Sequence, residues 1–84
     1  MIERNSQVNQ VVALISQYFR ISPEIIRGHL SEPLNGSFFK FDSIDMVYLV
    51  LALKGELGID LDDLELNRCA YWNVLEIAKR IPNN

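Results

Sequence analysis

Few side chains in this sequence can do chemistry, and most of them stand alone. His29 is the only histidine and Cys69 the only cysteine. A metal site or an acid–base relay needs several such groups together. His29 therefore reads as a surface or helix-end residue, and Cys69, beside Arg68, as a buried, inert thiol. Asp60, Asp62, Asp63 and Glu65 cluster, but they lack the glycine and the terminal glutamate at the spacing of an EF-hand loop. They read as a solvated acidic face. No nucleophile–base pair is visible, so no catalytic residue is assigned. What remains is the dipeptide Asp42-Ser43. An aspartate at a helix start accepts backbone N–H bonds, and on that reading Ser43 merely occupies the first turn. The same helix start has unpaired N–H groups and a positive dipole end, so it also accommodates a phosphate. An exposed Ser43 hydroxyl there is suited to carry a phosphodiester. The two readings are compatible: Asp42 caps while Ser43 is modified.

The elements that must position this dipeptide can be read from periodicity and turn signals. From Glu3 to Phe19, the residues Val8, Val11, Val12, Ile15 and Phe19 recur at steps of three and four, with Leu14 and Tyr18 alongside. That spacing predicts an amphipathic helix. Ser22 suits an N-cap and Pro23 the first helical position, with Glu24 favouring the same start. A short helix ending near Gly28 is expected. Residues 31–41 hold Pro33 and Asn35-Gly36 and read as a loop; three phenylalanines, Phe38, Phe39 and Phe41, should help pin it to the helices. A helix from Ser43 to Leu57 follows, with Asp42 as cap, Asp45 in the first turn and Gly58 as stop. Residues 60–66 predict at most a turn or two. The last helix starts at Asn73, where Glu76 three residues on resembles a capping box. It carries Val74, Ile77, Ala78 and Ile81 inward and stops at Pro82. Trp72 and Tyr71 are expected to pack the preceding loop against it. The class is all-α, with three principal helices plus short ones.

The Ser43–Leu57 helix has two apolar stripes where an ordinary amphipathic helix has one. Met46, Leu49, Val50, Leu53 and Leu57 suit a core. Ile44, Val47, Tyr48 and Leu51 form a second set, again at steps of three and four. Either this helix is central and contacted on two sides, or the second stripe is exposed as a docking surface. With Asp42-Ser43 at its start, the second alternative is favoured.

These residues resemble a known family. Asp42-Ser43-Ile44-Asp45-Met46-Val47-Tyr48-Leu49-Val50, then an apolar turn and Leu57-Gly58-Ile59, is similar to the central motif of the acyl carrier proteins. Ile21-Ser22-Pro23-Glu24-Ile25-Ile26 resembles the segment after that family's first helix, and Asn73-Val74 stands where the family has Thr-Val opening its last helix. The resemblance spans about Val11 to Ile81. It implies a single domain over residues 1–84 forming a small four-helix bundle of the acyl-carrier type, with a long loop before the second principal helix. It implies that Ser43 receives a phosphopantetheine arm from coenzyme A, whose thiol carries an acyl group as a thioester. The protein itself would catalyse nothing. Its partners would be a phosphopantetheinyl transferase and acyl-loading and acyl-processing enzymes, docking on Ile44, Asp45, Val47, Tyr48 and Leu51. Met46, Leu49 and Leu53 would line the core or an acyl pocket.

The departures from the family's pattern sharpen this expectation. Lys40 stands where the family has glycine, three residues before the serine, and it is placed either to pair with the phosphate or to stay solvated on the loop. Tyr48, Lys54 and Gly55 replace docking-helix acids, and Glu56 alone remains. Rim charges set association rate and partner choice, so dedicated enzymes of a specialised lipid, surface-polysaccharide or secondary-metabolite pathway are expected. The alternative is a carrier-fold interaction module that is never modified.

Length and composition agree with one small domain. The chain has 84 residues, 49% apolar and 23% charged. A chain of this size buries roughly 60–65% of its unfolded surface, which leaves little mass for a deep cleft. The apolar content excludes a disordered chain. The net charge of −3 argues against nucleic-acid binding. That total is uneven: residues 41–66 hold seven acids and one lysine, a net of −6, while the rest holds four acids and seven bases, a net of +3. The longest apolar run, Met46 to Leu53, is far too short to span a membrane. The N-terminus lacks the apolar core of a signal peptide. A cytoplasmic monomer is expected.

Overall fold

The computed structural model describes residues 2–68 and 71–82. Five helices follow one another: α1 (Ile2–Phe19), α2 (Pro23–Arg27), α3 (Ser43–Leu57), α4 (Asp63–Arg68) and α5 (Val74–Ala78). No strand occurs among the described residues. None of their helices is long and apolar enough to cross a membrane. α1 is the hub, with α2, α3 and α5 packed against it.

α3, α4 and α5 each have a capping bond that fixes where they begin. At α3, the Asp42 carboxylate accepts from the Asp45 N–H at 2.9 Å and the Asp45 carboxylate accepts from the Asp42 N–H at 3.1 Å. This reciprocal box satisfies two backbone donors at once. The same device recurs ahead of α4, where Asp62 and Glu65 exchange bonds at 2.8 and 3.3 Å. α5 carries half of it. Asn73 accepts from the Glu76 N–H at 2.8 Å, but the Glu76 side chain turns instead to Lys79 and Arg80. Ser22 departs further from its expected role. It precedes α2, yet its hydroxyl makes no capping bond and donates to the Glu24 carboxylate at 2.7 Å. Gly58 closes α3 in left-handed backbone, φ 70°, its N–H returning to Leu53 O, a conformation glycine adopts without a Cβ clash.

The core is built from apolar residues of α1, α2, α3 and α5. Val11, Val12 and Ile15 of α1 meet Ile26 of α2, Leu49 and Leu53 of α3, and Val74 and Ile77 of α5, all essentially fully buried. Among the described residues no buried one is polar or charged, so the interior they form holds together by apolar burial. Val50 and Leu57, expected in that core, are only partly buried at its edge.

The loop between α2 and α3 is anchored at both backbone and side chains. The Leu34 N–H donates to Trp72 O and the Phe41 N–H to Leu34 O, each at 2.9 Å, and the Leu34 side chain is fully buried. Phe38, Phe39, Phe41 and Phe19 form a continuous series of ring contacts, with centroids 4.7, 5.6 and 4.4 Å apart. Each such contact contributes about 0.5–1.5 kcal/mol beyond its burial. The three loop phenylalanines therefore fix the segment that delivers Asp42 and Ser43 to the start of α3.

Candidate functional site

Ser43 is the first residue of α3 and is exposed. The box at Asp42 and Asp45 fixes the backbone on either side of it. The N–H groups of a helix's first turn have no partner within the helix. The box takes up that of Asp45, and those of Ser43 and Ile44 have no partner within the helix. Asp42 itself is extended, φ −93° and ψ −174°, as an N-cap must be. The preceding turn is held by the Lys40 N–H, which donates to Gly36 O at 2.9 Å. Lys40 lies in left-handed backbone, φ 57°, where a side chain costs about 1–2 kcal/mol. That conformation explains why glycine would suit position 40. Its ammonium is exposed and has no ion-pair partner among the described residues.

A groove of about 520 Å³ opens beside Ser43. Its walls are mostly apolar: Phe41, Met46, Val47, Val50 and Leu51, with Leu66 from α4. Asp42 and Ser43 lie at its polar end. Of the three residues expected to line the core or an acyl pocket, all are buried in the core and Met46 also reaches the groove. Leu49 and Leu53 are 0% and 2% exposed and belong to the core beneath. Phe41 and Leu66 are wall residues that periodicity along α3 could not select, because they come from other segments, and Val50, expected in the core, also lines the groove.

The second stripe of α3 faces outward. Ile44, Val47, Tyr48 and Leu51 are 66%, 59%, 63% and 63% exposed. Met46, Leu49, Ala52 and Leu53 on the opposite face are buried. The helix is therefore packed on one side, and its other side is a contiguous apolar surface that begins at Ser43. Asp45 is half-buried and engaged in the box. At the far end, the Tyr18 hydroxyl donates to the Glu56 carboxylate. That bond, with some desolvation and the Glu56 charge, holds the Tyr18 phenol above its ordinary 10.0. Lys54 pairs with Asp60 at 3.8 Å.

The other candidates resolve into structural roles. His29 Nδ1 donates to Ile25 O at 2.8 Å, and its ring stacks on Phe38 at 3.6 Å and 4°. It closes α2 and pins the loop. The acidic cluster is taken up in caps and ion pairs: Asp62 and Glu65 in the box, Glu65 also with Arg80 at 3.3 Å, and Asp60 with Lys54. The Asp63 side chain lies outside the described part. No group of three potential metal ligands occurs among the described residues. Trp72 packs as expected and carries the Arg80 guanidinium 3.7 Å above its ring. Tyr71 does not: it is 72% exposed, because its neighbour takes the inward position. Cys69 lies outside the described residues.

Comparison of the chain with protein-family models, with curated proteins and with solved structures gives no significant match.

Proposed function

We propose that this chain is a carrier of the acyl carrier type, bearing a phosphopantetheine arm on Ser43. The observation that carries the reading is the exposed Ser43 hydroxyl on a capped helix start, at the mouth of an apolar groove. The residues fit the group. The free N–H donors and the dipole of α3 suit a phosphodiester, and Lys40 on the adjoining turn adds a mobile positive charge. Attachment forms a bond between Ser43 Oγ and the phosphorus of coenzyme A nearest the pantetheine. The phosphoanhydride breaks, adenosine 3′,5′-bisphosphate leaves, and the hydroxyl proton passes to a base of the transferase. Once attached, the arm supplies a thiol that holds an acyl group as a thioester.

The remaining surface has a consistent role in this reading. The groove walls of Phe41, Met46, Val50 and Leu66 offer an apolar cargo shelter from water, while the stripe at Ile44, Val47, Tyr48 and Leu51, of which Val47 and Leu51 also line the groove, meets partner enzymes. The bundle is then a four-helix carrier fold with α2 as an extra short helix. It works as a cytoplasmic monomer that serves dedicated enzymes of a lipid, surface-polysaccharide or secondary-metabolite pathway and catalyses nothing itself. The outward apolar stripe also suits a second reading, an interaction module of the same fold that docks without ever being modified. Incubation with coenzyme A and a broad-specificity phosphopantetheinyl transferase, followed by intact mass measurement, separates the two. The carrier reading predicts a gain of one phosphopantetheine that Ser43→Ala abolishes. No gain, or a gain that survives Ser43→Ala, overturns it.

A further inference from the structure

α4 supplies a wall of the groove through Leu66, yet it is lightly held. The close helix packings among the described residues all involve α1, and none involves α4. Glu65, one residue before Leu66, joins α4 to the end of α5. Its Oε1 accepts from the Asp62 N–H in the box that starts α4, and its Oε2 pairs with the Arg80 guanidinium at 3.3 Å. Arg80 is itself fixed by further contacts. It lies 3.7 Å above the Trp72 ring, donates to Glu76 O at 2.9 Å and pairs with the Glu76 carboxylate at 3.4 Å. A planar guanidinium can serve a ring face and carboxylates together. The side chains of Glu65 and Arg80 are both partly buried, so salt screens this pair less than one in open water. A cation held in place on one side of the groove wall thus faces the acid that also caps that wall.

We infer that Arg80 is a positioning residue for the groove: by holding Glu65 it fixes α4, and with it Leu66, and so sets how well the groove shelters an acyl cargo from water. This rests on the carrier reading above. With the Glu65–Arg80 pair cut, α4 opens more often while the α1, α3 and α5 core stays closed, and the cargo loses one wall of its shelter.

The test compares Glu65→Gln, Arg80→Gln and their double variant in the full chain, with Glu76→Gln as the control. Glutamine at position 65 keeps an oxygen for the Asp62 N–H. The first readout is hydrogen exchange at the Leu66 N–H, which donates to Asp62 O at 2.9 Å, in the unmodified chain. The second is release by neutral hydroxylamine of an octanoyl group loaded from octanoyl-coenzyme A by a broad-specificity phosphopantetheinyl transferase. Each single variant should speed both by about threefold, the size expected for one partly exposed charged contact. The double variant should be no faster than the faster single one, because both cut the same contact. Exchange at Leu49 should not change, and Glu76→Gln, which leaves the Glu65 contact in place, should match the wild type in both readouts. Unchanged exchange at Leu66, additive effects in the double variant, an equal effect of Glu76→Gln, or faster exchange with unchanged octanoyl release overturns the inference and leaves the carrier reading intact. Absence of any wild-type loading overturns both.

Discussion

α3 and α5 start alike and end up with opposite outer faces. Both open on a carboxylate or amide that caps the third N–H of the helix, and both bury a tight apolar stripe. On α5, however, Glu76 pairs with Lys79 and Arg80 just past the helix end. On α3, the outward face carries Ile44, Val47, Tyr48 and Leu51. The contrast separates what folding requires from what it does not. An 84-residue bundle needs the inner stripes, since a small domain has few apolar residues to spare. Nothing in the packing needs the outer stripe of α3, and leaving it in water favours non-specific association. Its presence, starting at the one exposed serine on a boxed helix, supports the docking role proposed for it.

The sharpest way to break this comparison is to cut equal side chains from the two faces of α3. Leu49→Ala, inside, should lower unfolding free energy by about 2–5 kcal/mol. Leu51→Ala, outside, should change it by no more than about 0.5 kcal/mol. Urea denaturation followed by circular dichroism reads both, and equal losses would show that the outer stripe is part of the core. The caps come next. Asp42→Ala should cost about 1 kcal/mol, and Asn73→Ala no more, because Asp42 takes part in a reciprocal box and Asn73 accepts a single bond. The smaller effect at Gly55 has the opposite sign. A Cβ there meets nothing within 4 Å, so Gly55→Ala should stabilise by up to about 1 kcal/mol, visible as a higher Tm. Smallest of all is Glu24, at the surface of α2. The Ser22 hydroxyl, the backbone and then Arg27 hold its carboxyl below the ordinary 4.5. A depressed folded value means that its contribution is present above pH 4.5 and is lost as pH falls through the folded value. Carboxyl titration by NMR should show the low midpoint in the wild type and its rise in Ser22→Ala.

The helices were legible where the signal is local. The boundaries of α3, from Asp42 to Gly58, follow from a cap, a first-turn acid and a stop glycine, all within reach of one another along the chain. The exposure of Ile44, Val47, Tyr48 and Leu51 follows from the surplus of apolar residues on one helix. What could not be read lies between elements. The stack of His29 on Phe38, the Tyr18–Glu56 bond and the Leu66 wall of the groove each join residues from different segments, and periodicity along one helix carries no information about its neighbour. Ser22 failed as a cap because its hydroxyl found the charged Glu24 acceptor instead, a choice between two nearby partners that residue type alone does not decide. Met46, Leu49 and Leu53 share a face of α3 and are all buried in the core, but only Met46 also reaches the groove, because the other groove walls come partly from different segments.

The central claim is that the outer face of α3 serves a group attached at Ser43. Its most direct test is to produce the chain together with a phosphopantetheinyl transferase in cells, digest it, and fragment the peptide that spans Asp42 to Lys54. The account predicts one phosphopantetheine, localised to Ser43. A peptide that remains unmodified, or an arm found on another residue, would contradict it.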